Sequence, residues 1–448
     1  MEKDLTTGSI GKAIVSFSLP YLLSYFLQTL YGMADLFIIG RFNGVESTTA
    51  VAIGSQVMHM LTVMIVGLAM GSTILIGRAT GAKDAPGTRQ AVGNTAVLFT
   101  ALSLVMTVVL LASAHLIVSV MKTPADAVPG TLRYLTICFL GIPFITAYNI
   151  ISSVFRGMGD TKSPMIFIAV ACFFNILLDF FFIGALGLDA AGAALGTTVS
   201  QAASVAFSLY AIRRRNMIPG LGKADFRPSG PVMKKILKVG FPVAVQDGFI
   251  QIAFLAITVF ANLRGLSDSA AVGIVEKQIS FIFLVPSSML SAVAVLAAQN
   301  IGAGKHERAR LALWYATGIA VIYGLAVSVI FQFIAEPAVA VFVDASANAA
   351  EVVRLGGQYM RGYIWDCIFA GVHFCFSGYF CAYGLSNISF LHNFISVVFA
   401  RVPLAYFAAR CFTATLFPMG LAAPAGSLLS IVICLAAYCW MRRHPETL

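Results

Sequence analysis

Apolar segments of twenty or more residues follow one another along the whole chain, and they leave few folds open. A helix needs about 20 apolar residues to cross a bilayer core of about 30 Å. Of the 448 residues, 59% are hydrophobic and 11% are charged, whereas roughly a quarter are charged in an ordinary soluble protein. These features exclude a water-soluble globule and predict an all-α membrane protein.

The bounds of these apolar segments predict twelve transmembrane helices. Each segment ends at Gly, Pro or a cluster of charges, which are the usual signals for a turn. Little chain is left between them, so a soluble catalytic domain is not expected. The predicted spans cover residues 12–40, 46–77, 90–120, 130–155, 163–186, 189–212, 235–262, 269–300, 309–335, 350–380, 387–410 and 420–441.

The distribution of positive charge predicts how the chain is oriented in the membrane. The net charge is +10, from 29 Lys and Arg against 19 Asp and Glu. If both termini are cytoplasmic, twenty of these Lys and Arg residues lie in inner connections and eight, including Arg401, lie at outer ends. Cytoplasmic connections carry such an excess in membrane proteins. We therefore interpret the charge as topology and do not expect a nucleic-acid partner.

Several common active-site signals are missing from the sequence. The eight cysteines form no CxxC pair, and the six histidines show no metal-ligand spacing, so we expect neither a cofactor nor a metal centre. No GxxxxGK[ST] motif is present, which gives no support for ATP hydrolysis by this chain.

The two halves of the chain repeat the same order of landmarks. FSLP ending at Pro20 matches KVGFP ending at Pro242, and FRGMGDTKSP from Phe155 matches FCAYGLSNIS from Phe380. Each half has an even number of spans, so the halves are parallel repeats about an axis along the membrane normal. We predict an amino-terminal six-helix lobe over 1–212, a cytoplasmic linker over 213–234, a carboxy-terminal six-helix lobe over 235–448, and a cleft between the lobes.

Several motifs together resemble the multidrug and toxic compound extrusion (MATE) family, and its DinF and MepA-like branch in particular. They are LPYLLSYFLQTLYGMADLFIIGR, GRATGAKD, FRGMGDTKSP, NILLDFFFIGALGLDAAGAALGT and QNIGAGKHERAR. The resemblance covers nearly the whole chain. It implies export of amphipathic organic cations in exchange for Na⁺ or H⁺, by alternating access, in a bacterial inner membrane. It further implies a monomer that needs no ATPase partner.

Two acids in the first half are the main candidates for ion coupling. Ionisable groups within spans are costly and therefore functional by default. Asp179 shares a helical face with Asn175, four residues earlier. The resemblance places the family's cation site on Asp35, Asn175, Asp179 and Thr197. Because two buried carboxylates cannot both stay charged and unpaired, we expect them to bind a proton or a Na⁺ ion. The sequence leaves open which ion it is.

Further polar residues extend the list of candidate pocket residues. Tyr31, four residues before Asp35, shares its helical face, and Gln28 lies one turn earlier. The second half contributes three acids and one base, a net charge of −2 that would attract a cationic substrate. The alternative is a structural network in which the base pairs with the acids. These second-half residues are Asp247, Glu276, Lys277 and Asp366.

Three other functions are alternatives to a cation-coupled exporter. A flippase for lipid-linked sugars needs several basic residues in its cleft, whereas Lys277 is the one base that the predicted spans offer for it. A major-facilitator transporter carries a Gly-x-x-x-Asp-Arg-x-Gly-Arg-Arg type of loop after span two, and GRATGAKDAPGTR does not match it. An intramembrane enzyme needs a nucleophile and base or a metal cluster at fixed spacing, and we find none. A flippase remains the alternative.

Overall fold

The computed structural model describes residues 4–343 and 348–444, and over this part of the chain every regular element is a helix. Two π-helical segments interrupt the α-helices, the first over Phe180–Ala185 and the second over Val397–Arg401. A connection over residues 215–229, which contains the 3₁₀-helix Lys223–Phe226, joins α7 to α8. The α-helices are α1 Ile10–Phe42, α2 Val45–Gly81, α3 Ala85–Val120, α4 Val128–Leu140, α5 Ile142–Gly157, α6 Lys162–Asp179, α7 Asp189–Arg214, α8 Gly230–Asn262, α9 Leu266–Ile282, α10 Leu284–Gly302, α11 His306–Ala340, α12 Ala349–Tyr363, α13 Asp366–Ala382, α14 Ser386–Ser396, α15 Val402–Cys411, α16 Phe417–Gly420 and α17 Ala422–Arg443.

The helices confirm the predicted membrane fold. Nine helical stretches of the described chain are long and apolar enough to cross a membrane, and two bent pairs raise this number to eleven. Helix α7 is not among these eleven. It has 26 residues but is rich in Ala, Gly, Ser and Thr, so that its hydropathy is low. Counting α7 gives the predicted twelve.

Two spans are bent rather than straight. The axes of α4 and α5 differ by 50°, and those of α12 and α13 differ by 41°. The first bend lies at Gly141, and Pro143 occupies the first turn of α5, where its missing N–H costs no helical hydrogen bond. By contrast, Pro20 and Pro242 lie inside the continuous helices α1 and α8.

The described chain packs as two compact units. The first unit contains Leu19–Ala244, and the second contains Leu5–Ser18 and the chain from Val245 onward, so α1 and α8 each contribute to both. In the first unit α2 packs on α5 and α6 on α7, while in the second α13 packs on α10 and α11. Glycines allow close approach of helices, as membrane helices often require. A Cβ on Gly71, for example, would lie 2.0 Å from the carbonyl oxygen of Ile236.

The QNIGAGK motif binds the segment that precedes α1. The Leu5 amide donates to Gln299 Oε1 at 3.2 Å, and Asn300 Nδ2 donates to the Leu5 carbonyl at 3.3 Å. Lys305 Nζ donates to the Thr6 carbonyl at 2.9 Å. All five residues belong to the second unit. Besides carrying positive charge, this motif therefore fixes the point at which the chain enters α1.

A similar clamp in the first unit holds the segment that precedes α8. Asn94 Oδ1 accepts from the Ser229 amide at 2.7 Å, and its Nδ2 donates to the Arg227 carbonyl at 3.3 Å. The adjacent Gly93 leaves room for the backbone, since a Cβ there would lie 2.1 Å from the Asp225 carbonyl oxygen. The segments that precede α1 and α8, the first helices of the two halves, are thus both held by side chains at or near the end of another helix.

Candidate functional site

Two acidic side chains meet inside the first unit. Asp35 comes from α1, and Asp179 is the last residue of α6, directly before the first π-helical segment. Their exposed fractions are 3% and 0%, and their carboxyl groups are in side-chain contact. The neighbouring α7 allows this approach because Gly196 has no Cβ: a Cβ there would lie 2.0 Å from Asp179 Oδ1. The structure thus buries two carboxyl groups beside each other.

Oxygen and amide groups surround this acidic pair. Thr197 Oγ1 donates to Asp35 Oδ2 at 3.2 Å, and Asn175, one helical turn before Asp179, also contacts the Asp35 side chain. Within the described residues, Asp35 Oδ1, both oxygens of Asp179 and both amide atoms of Asn175 have no hydrogen-bond partner. Buried polar atoms are seldom left unpaired. This oxygen-rich set suits a hard cation such as Na⁺, and the carboxylates also suit a proton.

A polar face of α1 continues from Asp35 toward the amino-terminal end of the helix. Tyr31 lies one turn before Asp35, and its side chain contacts Gln28. Gln28 in turn lines a small, partly open pocket. The other residues that line this pocket are Tyr21, Ser24, Tyr25, Val66, Tyr148, Asn149, Arg156, Thr161 and Pro164. Tyr31 and Gln28 therefore lie between the acidic pair and this pocket, which belongs to the same unit.

The second-half candidates do not form one pocket. Asp366 is buried at the start of α13, and Glu276 on α9 accepts a hydrogen bond from Thr258 Oγ1 at 3.4 Å. Asp247 is half-buried on α8, and Lys277 is exposed on α9. Within the described residues Lys277 makes no ion pair. The structure therefore does not pair Lys277 with Asp247, Glu276 or Asp366.

The base that acts on Glu276 and Asp366 is Arg401, which the charge pattern of the sequence assigns to an outer loop end. The structure places it at the end of the second π-helical segment, and the ten-residue helix α15 separates it from the next loop. At 1.5 Å per residue this is about 15 Å inside the span. His373 and His392 are also buried in this unit and were not selected. The signal that identifies all three is a polar side chain inside an apolar run.

Comparison with known proteins gives matches across nearly the whole chain. The MatE family model matches residues 20–181 and 242–407. The probable multidrug resistance protein YpnP of Bacillus subtilis is 29% identical over 400 residues, which are 89% of this chain and 88% of YpnP. The multidrug export protein MepA of Staphylococcus haemolyticus is 25% identical, covering 84% of this chain and 82% of MepA. The fold also matches an outward-facing structure of a multidrug resistance MATE transporter with a TM-score of 0.89, at 24% identity and with 99% and 97% of the two chains covered.

Proposed function

The chain belongs to the MATE family of membrane transporters, and from this premise we propose that it exports amphipathic organic cations in exchange for a cation bound at Asp35 and Asp179. Membership makes the chain a transporter rather than an enzyme, and it confirms the family resemblance of the sequence motifs. The relatives described above are named multidrug resistance or export proteins, which supports a drug-like substrate. The observation that carries the proposal is the contact between two buried carboxyl groups whose oxygens lack partners.

Burial of this acidic pair explains how a cation gradient could drive export. Two carboxylates in contact repel each other and are poorly solvated, so binding of a cation stabilises them. If drug binding and cation binding disfavour each other, a bound cation lowers the affinity for the drug, and a bound drug lowers the affinity for the cation by the same factor. An inward-moving cation then promotes release of the drug. Thr197 and Asn175 complete the set of oxygen ligands when the cation is Na⁺.

Our proposal includes the location and assembly of the transporter. A membrane location follows from the spans and the family. We propose a monomer in a bacterial inner membrane with cytoplasmic termini, supported by the excess of Lys and Arg in the connections assigned to the cytoplasm. No ATPase partner is included, since a cation gradient supplies the energy.

Ethidium efflux from vesicles under separately imposed Na⁺ and proton gradients tests this function. We expect wild-type efflux to follow one of the two gradients and to need no ATP. Asp35→Asn and Asp179→Asn should each reduce gradient-driven efflux at least tenfold at equal expression, while Asp126→Asn, at an exposed acid, should match the wild type. Wild-type rates in both site variants would contradict the proposal, as would efflux that depends on ATP alone.

A further inference from the structure

Positive charge is concentrated around the connection between α7 and α8. Residues 213–238 contain eight Lys and Arg but one acid, Asp225, and all eight bases are exposed. Within the described residues, six of the eight make neither an ion pair nor a side-chain hydrogen bond. These six form what is called the basic surface below, and they all belong to the first unit. They are Arg213 and Arg215 at the end of α7, Lys223 and Arg227 in the connection, and Lys234 and Lys235 near the start of α8.

Apolar side chains fix the connection to the first unit. Met217, Ile218 and Leu221 pack against a buried cluster that includes Val92 of α3 and Phe155 of α5. The bases on either side of these three residues are exposed. The connection is therefore amphipathic, with its apolar side chains packed on the helices and its charges facing outward. Orientation of the chain by its Lys and Arg does not require such an ordered arrangement, so the order calls for another role.

Polar contacts order the connection further and leave the basic surface unneutralised. The Asn94 clamp described above holds the end of the connection. The Asp225 carboxylate accepts a hydrogen bond from the Gly222 amide at 2.8 Å, and it lies 3.9 Å from Arg89 Nε of α3. The one acid of residues 213–238 is thus engaged by its own loop and by α3. It does not pair with any base of the basic surface.

The basic surface lies next to the apolar side chains that mark the acyl-chain region of a bilayer. On α7 the last exposed aromatic side chain is Tyr210, and Arg213 follows it by three residues. On α8 the exposed apolar side chains begin at Leu237 and continue with Phe241, and Lys234 precedes Leu237 by three residues. Three residues of helix span about 5 Å. These bases are therefore at the height of lipid headgroups, where tyrosine is also enriched.

We propose that the basic surface binds anionic phospholipids of the adjoining leaflet, such as phosphatidylglycerol. Guanidinium and ammonium groups donate charge-assisted hydrogen bonds to phosphate oxygens, and a guanidinium can do so with two N–H groups at once. Clusters of about four to eight Lys and Arg beside a membrane helix are typical of anionic-lipid recognition. The position beside the acyl-chain region favours a lipid over a nucleic acid, which has no apolar part to place there.

Native mass spectrometry of the full-length protein tests this surface, with equal amounts of phosphatidylglycerol and phosphatidylcholine added. We expect the wild type to retain phosphatidylglycerol at least fivefold over phosphatidylcholine. A variant of the basic surface should lose most of this preference, whereas a control variant that removes the same number of exposed bases should keep it. The variant combines Arg213→Gln, Arg215→Gln, Lys234→Gln and Lys235→Gln. The control combines Arg41→Gln, Lys122→Gln, Arg133→Gln and Arg410→Gln, at bases that the charge pattern assigns to outer ends.

Equal retention of the two lipids by the wild type would overturn the proposal, as would the same loss of preference in both variants. Binding of single-stranded DNA that the basic-surface variant loses, without any preference between the lipids, would assign the surface to a nucleic acid instead. Inorganic phosphate that displaces the lipid at equal concentration would show that the phosphate group is recognised without its membrane.

Two further measurements separate an ordered lipid site from a simple excess of charge. Phosphatidylglycerol should raise the melting temperature of the wild type in detergent, and the rise should disappear at about 1 M salt, where the screening length falls to about 3 Å. Asn94→Ala keeps every base but releases the end of the connection, so it should reduce the lipid preference at least twofold. An unchanged preference in Asn94→Ala would count against an ordered site. Neither measurement involves transport, so the efflux of Asp35→Asn does not affect their outcome.

Discussion

At the scale of single residues, the free space around Asp179 is set by Gly196. A Cβ on Gly196 would lie 2.0 Å from Asp179 Oδ1, so Gly196→Ala must displace the carboxylate. We expect a moderate loss of stability, about 1–3 kcal/mol for overpacking, and at least a fivefold loss of gradient-driven ethidium efflux. Gly32→Ala is the matched control, because a Cβ on Gly32 meets nothing within 4 Å. Equal efflux by the two variants would show that the position of Asp179 is not critical.

The hydroxyl of Thr197 offers a second test at this scale. It donates to Asp35 Oδ2 at 3.2 Å, and a hydrogen bond to a charged group contributes about 1.5–3 kcal/mol. Thr197→Val keeps the shape of the side chain but removes the donor, so the apparent cation affinity for efflux should fall at least tenfold. Thr197→Ser should stay near the wild type. Thr198→Val, one position along the helix, controls for general damage to α7, and a matching loss in that variant would remove the assigned role.

Some of these residues could be selected from sequence and others could not. Asp35 and Asp179 are acids inside apolar runs, and the spacing of Asn175 from Asp179 places both on one helical face, so these residues could be selected from sequence. Their grouping with Thr197 in one site was implied by the family resemblance. Gly196 could not be assigned, because its contact with Asp179 depends on how α6 and α7 pack. Arg401 was missed for another reason: a charge ten residues from a loop was attributed to the loop.

At the scale of elements, the clamp between α3 and the segment before α8 makes its own prediction. Asn94 binds both the Ser229 amide and the Arg227 carbonyl, so Asn94→Ala leaves two backbone groups without partners at a cost of about 1–3 kcal/mol. We expect a lower melting temperature in detergent and faster trypsin cleavage near Arg227. Gln90→Ala, on the exposed side of α3, should change neither. Unchanged cleavage in Asn94→Ala would mean that other contacts hold this segment.

Helix positions could be predicted well from apolar runs, because a segment that crosses the bilayer must satisfy its backbone hydrogen bonds internally, as a helix does. The bends and the π-helical segments could not be predicted. Pro143 is consistent with the 50° bend at Gly141, whereas Pro20 and Pro242 lie inside continuous helices. The second π-helical segment, which ends at Arg401, contains no Gly or Pro to signal it.

At the scale of the whole molecule, the two halves repeat a helix order but differ in chemistry. In the described part of the first unit, two buried acids touch and have no basic partner. The second unit buries Asp366, His373 and His392, and it half-buries Glu276 and Arg401. Matching landmarks could predict the repeat, since they reflect helix packing that both halves retain. They could not predict this divergence, because the landmarks are turns and glycines, whereas the polar side chains lie between them.

The charge balance of the second unit predicts how the stability of the whole protein responds to loss of Arg401. Arg401→Gln removes the base whose charge acts on Glu276 and Asp366, and it breaks the hydrogen bond to Tyr363. Leaving a buried polar group without its partner costs about 1–3 kcal/mol. The melting temperature in detergent should therefore fall markedly, while Lys277→Gln, at an exposed base, should leave it unchanged. Adding Asp366→Asn to Arg401→Gln should restore part of the loss, because one unpaired charge is removed. If the double variant is no more stable than Arg401→Gln, then Arg401 stabilises the unit by packing on Phe254 and Tyr363 rather than by balancing charge.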